Sequence, residues 1–128
     1  MKPRDPRVSI LDAITAGETI EGFLVGRSFE EYSADRLLAS GVERQFEILG
    51  EALARALRAD ASLADYLPDA VDVIGFRNVL AHGYDAVSDV LVWSIAQEKL
   101  PALLERLRTT LANISCDTGP DEGNRDPL

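Results

Sequence analysis

VERQFEILGEALARALR, residues 42–58, is the stretch on which the fold turns. Val42, Phe46, Leu49, Leu53 and Leu57 form one stripe, while Glu43, Arg44, Glu47, Glu51, Arg55 and Arg58 fall on other faces. Apolar side chains at that spacing line one side of a helix with 3.6 residues per turn, so the segment predicts a long, partly buried helix. Strand-like alternation is absent here and elsewhere in the chain.

The flanking segments read the same way. From Val8 to Val25, apolar Ile10, Leu11, Ile14, Ile20 and Leu24 recur at near-helical spacing, and Gly26 stands where a helix would stop. Ser28 and Glu31 have the form of a capping box, in which each side chain satisfies an orphan backbone donor of the other. They open a second short helix to about Ala39, with Gly41 as punctuation before the third. Ala59 to Pro68 reads as a loop, and Asp69 and Asp72 offer caps for a fourth helix to about His82, ended by Gly83. Ser88 caps a fifth, whose stripe is Trp93, Ala96, Leu100, Leu103, Leu107 and Leu111, kinked at Pro101. From Ser115 onward Gly, Pro, Asp and Asn dominate without apolar periodicity. The expectation is therefore an all-α protein: an antiparallel bundle of about five helices over residues 1–114, followed by a disordered acidic tail over 115–128.

Composition narrows the function. The chain has 128 residues, 46% of them hydrophobic, enough for one domain with one core. A formal net charge of -9 repels polyanions over the surface as a whole, so any nucleic-acid contact must be local. A single cysteine, Cys116, excludes an intrachain disulfide and a cysteine-based zinc cluster, and fits a reducing compartment. No stretch approaches the roughly 20 apolar residues that span a bilayer. A soluble cytoplasmic protein, free of metal and cofactor, is expected.

Arg77 does not fit a plain bundle. Its helical neighbours are Val73, Ile74, Leu80 and Ala81, which puts an arginine inside an apolar stripe. An unpaired guanidinium is costly to bury, so it must find a carboxylate, reach an interface or line a pocket. His82, the single histidine, lies five residues on, about 140° round a straight helix. The two can share a neighbourhood only if the helix ends there, and Gly83 suits such a break. Asn78, four residues before His82, faces it and can orient the ring. Tyr84 lies seven positions after Arg77. A fixed cation and an imidazole are ingredients of a phosphoryl site.

Arg77-Asn78-Val79-Leu80-Ala81-His82-Gly83-Tyr84 has the form Arg-x-x-x-x-His-x-Tyr and resembles the signature of the HepT-like family of HEPN-domain ribonuclease toxins. The likeness extends over roughly residues 5 to 112, through the Asp5-Pro6-Arg7 start, Ser28-Phe29-Glu30-Glu31, Val42-Glu43-Arg44, Gly50-Glu51-Ala52, Val92-Trp93 and Leu100-Pro101. Phe76 stands where the family commonly has methionine. The resemblance implies a metal-independent endoribonuclease that cuts tRNA or mRNA at a site built by two subunits. Carried over by motif position, Arg77 and His82 are catalytic and Asn78 supports them. The implied partner is an MntA-like minimal nucleotidyltransferase antitoxin that AMPylates Tyr84. The residues also argue for a homodimer: cleavage through a 2',3'-cyclic phosphate needs a base and an acid, and two copies of His82 supply both.

Plainer roles stand beside these. Arg77 can be a satisfied structural ion pair, His82 a helix cap, and Tyr84 a packing tyrosine with its hydroxyl in water. Arg44, Glu47 and Glu51 share one side of the third helix, either as a solvated ion-paired face or with Glu47 or Glu51 orienting Arg77 or the dimer partner. The competing function is a non-catalytic helical adaptor that binds a nucleotidyltransferase and presents Tyr84.

Overall fold

The computed structural model describes residues 5–81 and 88–125, with side chains to Leu80 and again from Ser88 to Ile114. Among these residues the chain forms α1 (Pro6–Leu24), α2 (Phe29–Ala34), α3 (Arg36–Ala59), α4 (Ala70–Ala81), α5 (Asp89–Ser94) and α6 (Leu100–Arg125), and no strand. A π-helical turn, Ile95–Lys99, joins α5 to α6 into one interrupted rod, which gives the five-rod all-α bundle. No helix among the described residues is long and apolar enough to cross a membrane.

The starts of the helices follow from their caps. Asp5 accepts the Arg7 N–H at 2.9 Å, with Pro6 at the first helical position, where its missing N–H costs nothing. Ser28 Oγ accepts from Glu31 N at 3.1 Å while Glu31 Oε1 accepts from Ser28 N at 2.9 Å, the reciprocal pair that the sequence announces. Gly26 ends the first turnover of the chain with a φ of 74°, a backbone angle that L side chains rarely adopt.

The second and third helices divide elsewhere than expected. α2 stops at Ala34, and extended Asp35 caps α3 by accepting the Leu38 N–H at 3.0 Å. α3 then passes straight through Gly41. The small residue serves packing there, because a Cβ at position 41 would stand 3.3 Å from the Phe23 ring of α1. The expected loop from Ala59 to Pro68 contains a 3-10 turn, Ala61–Asp65, capped by Asp60, and buries Leu63 and Leu67. Pro101 acts one turn upstream of itself. It has no N–H for the Gln97 carbonyl and its ring crowds that oxygen, so the backbone widens and Leu100 N–H donates to Ile95 O, five residues back. The backbone of α6 is helical to Arg125, past the edge expected at 114; Ile114 is the last of its described side chains packed on the core.

α3 is the central rod, touching α1, α2, α4 and the 3-10 turn, while α6 covers α1. Asp12 of α1 meets Arg55 and Phe23 meets Gly41, so α1 runs antiparallel to α3. Phe76 of α4 packs edge-on against Phe46 with ring centroids 5.3 Å apart, and Val73 lies against Gly50, so α4 is antiparallel as well. Ile10, Ile20, Phe46, Leu49, Leu53 and Leu103 are fully buried. At about 1.5–3 kcal/mol for each large apolar side chain removed from water, this core holds the rods together.

Candidate functional site

Val73, Phe76 and Leu80 bury one face of α4, and Arg77 lies on its edge toward α3. What admits an arginine there is Gly50. A Cβ built on Gly50 would collide with Arg77 Cβ and stand 2.8 Å from its Cγ. The arginine's stem thus lies across the bare backbone of α3, and its guanidinium emerges at the next residue, Glu51. Arg77 Nη2 donates to Glu51 Oε1 at 2.6 Å, a short charge-assisted bond. The side chain remains 25% exposed. Its Nε is buried and has no hydrogen-bond partner among the described residues.

Glu51 is 43% exposed and faces more than one cation. Its other oxygen, Oε2, is 3.6 Å from Arg58 Nη2 and 3.9 Å from Arg55 Nη1, and Arg55 also donates to Asp12 at 3.2 Å. Three guanidiniums therefore gather around one carboxylate. Of the two acids considered as orienting groups, Glu51 meets Arg77, whereas Glu47 pairs with Arg44 at 3.0 Å, the solvated i,i+3 alternative. Asn78 is exposed on α4. His82, Gly83 and Tyr84 lie outside the described residues.

A second neighbourhood holds the chain where it re-enters the bundle. Ser88 Oγ accepts the Leu91 N–H at 3.3 Å, and the next residue, Asp89, accepts from Ser33 Oγ at 3.1 Å and stands 3.8 Å from Arg36 Nη1. Tyr32 lies fully buried beneath, its ring 5.7 Å from Trp93, which also meets Phe29 edge-on at 5.9 Å. The Tyr32 hydroxyl has no partner among the described residues. Burial, reinforced by Glu43 and Asp89, pushes its pKa far above the ordinary phenol value. Burial likewise raises the Glu43 carboxyl, with Asp89 and Glu47 adding to the shift and Arg36 opposing it. The sequence reading passed over Tyr32, Asp35 and Asp89. Asp89 carried a signal, an acid immediately after a cap; Tyr32 carried none, because α2 is too short to show a stripe.

The direction of the Glu43 shift fixes a pH effect. Folding raises this carboxyl's pKa, so the folded state binds its proton more tightly than the unfolded chain does. Stability from that proton is present below the ordinary carboxylate value of 4.5 and is lost as pH rises through the folded value. Glu43→Gln should therefore raise the thermal unfolding midpoint at pH 7 and leave it nearly unchanged below pH 4, measured by circular dichroism. A lower midpoint at pH 7 would mean that the charge attraction of Arg36 outweighs desolvation.

A cleft lined by Tyr66 with Glu105, Arg106 and Thr109 of α6 does not include Arg77. The family model described as "Ribonuclease HepT-like" matches residues 13–110. Two similar proteins come from Methanocaldococcus jannaschii. One, named "Putative RNase MJ1380", is 26% identical over 80% of this chain and 94% of its own. Another, "Putative RNase MJ1216", is 23% identical over 97% of this chain and 99% of its own. No solved structure matches the chain significantly.

Proposed function

The chain belongs to the ribonuclease HepT-like family, and on that premise we propose that it is a toxin-type, metal-independent endoribonuclease working as a homodimer with a composite site. Arg77 stabilises the charge that develops on the phosphorus oxygens, His82 transfers protons, and Asn78 orients the imidazole. One His82 removes the proton from a 2'-hydroxyl, whose oxygen attacks the adjacent phosphorus. The other delivers a proton to the departing 5'-oxygen, leaving a 2',3'-cyclic phosphate. Residues 1–114 form the catalytic body and 115–128 an appendage. An MntA-like nucleotidyltransferase neutralises the enzyme in the cytoplasm by attaching AMP to Tyr84.

The observation that supports this reading is the state of Arg77. An arginine kept only for structure would spend its donors inside the protein. Here Glu51 fixes one end of the fork at 2.6 Å while the side chain stays 25% exposed. The exposed part of the guanidinium is thereby held in place, and a phosphate oxygen has the right chemistry to meet it. The test is incubation of the purified chain with defined tRNA and mRNA in EDTA, with analysis of product ends. Cyclic phosphate termini are expected, and a Tyr84 peptide heavier by AMP after treatment with the nucleotidyltransferase and ATP. Modification without any cleavage would favour the adaptor.

A further inference from the structure

One row of charged side chains on α3 changes sign along the helix, although Arg36 and Arg44 lie beside its acidic half. Glu43, Glu47 and Glu51 follow one another at four-residue spacing, and Arg55 and Arg58 continue the row. Arg77 is bonded at the junction of the two halves, on Glu51. α4 is antiparallel to α3 and so advances toward the acidic half, and the chain re-enters the bundle with Asp89 close to Arg36 and Glu43 at that same end. The basic half points the other way.

We infer that Arg58, backed by Arg55, is a second phosphate subsite, and that single-stranded RNA leaves the Arg77 linkage toward the C-terminal end of α3. This rests on Arg77 being the cation at the cleaved phosphate. Arg58 is 63% exposed, and its nearest carboxylate oxygen, at 3.6 Å, is beyond hydrogen-bond reach. Among the described residues it spends no N–H in a hydrogen bond, whereas Arg55 is committed to Asp12. From Glu51 to Arg58 the helix rises about 10 Å at 1.5 Å per residue, a separation that a neighbouring phosphate of the same strand can bridge with the help of a long side chain. A strand running the opposite way would meet Glu43, Glu47 and Asp89 against only Arg36 and Arg44 among the described residues, a region with no excess of cations. With a net charge of -9, the protein can hold a polyanion only where cations are concentrated, and the described residues concentrate three here.

Arg58 also sits in the last turn of α3, where a cation favours the helix C-terminus without any ligand. Binding separates the two roles. A 2'-O-methyl single-stranded oligonucleotide, which cannot be cleaved through its 2'-oxygen, is titrated against the full chain by fluorescence anisotropy over a range of salt. Arg58→Ala is expected to weaken binding several-fold at low salt and to reduce the slope of log K against log salt by about 0.7, the loss of one phosphate contact on a single strand. Arg58→Lys should retain most of both, and Arg108→Ala, whose arginine on α6 pairs with Glu18 of α1, should change neither. If Arg58→Ala matches the wild type in affinity and slope, and alters only the thermal midpoint, the subsite is refuted. A wild-type chain that cleaves RNA in that case leaves the ribonuclease reading intact, whereas one that neither binds nor cleaves overturns both.

Discussion

Replacing His82 with alanine should lower the rate of RNA cleavage by about 10²–10⁴-fold, the range in which a positioned proton donor or acceptor contributes. The effect sits at the upper end if both proton transfers use copies of this residue, since the chain has no other histidine. Arg77→Ala acts on a different quantity, the charge on the phosphorus oxygens, and should cost about 10²–10³-fold. Its structural price is small, because Glu51 keeps Arg55 and Arg58 within 4 Å and is itself open to water. Single-turnover rates on one defined RNA, with circular dichroism to verify folding, check both. Wild-type cleavage by the His82→Ala protein would remove the imidazole from the chemistry.

The sequence made the bundle legible wherever one local rule determined the outcome. The stripe from Val42 to Leu57 became the buried face of α3, and Ser28 with Glu31 made the reciprocal cap. It misled where two rules competed. Gly41 reads as a break, yet α3 runs through it because Asp35 caps the helix earlier and Phe23 requires a small residue at that point. Pro101 was expected to kink its helix; the accommodation is a π turn placed before it. For the candidate site, the misfit of Arg77 among apolar neighbours was visible from helical spacing, as was the choice between Glu47 and Glu51 as its anchor. What decides between them is the depth at which α4 lies on α3. That depth depends on Gly50, whose importance is tertiary and leaves no trace in spacing or propensity.

Gly50→Ala offers the sharpest test of this packing. On an open helix a glycine-to-alanine change stabilises by roughly 0.4–1 kcal/mol, because the unfolded chain loses freedom and alanine favours the helix. Gly22 on α1, with nothing within 4 Å of its would-be Cβ, should behave so. Position 50 should show the opposite sign. The added methyl meets Arg77 Cβ, the first carbon of the side chain, which no rotamer change can move aside. α3 and α4 must separate, loosening the Phe46–Phe76 contact and lifting the guanidinium from Glu51. Overpacking of this kind costs about 1–3 kcal/mol. Cleavage should fall together with stability although no charge has been touched, since a misplacement of about 1 Å can cost on the order of 10²-fold in rate. Removing the Arg77 side chain as well, as in Gly50→Ala with Arg77→Gly, relieves the collision. The pair should therefore be less destabilised than the sum of its single changes, as neighbours in contact are when measured by urea unfolding. If Gly50→Ala stabilises as Gly22→Ala does, the arginine's stem does not lie on the bare backbone of α3, and its bond to Glu51 does not hold it in place.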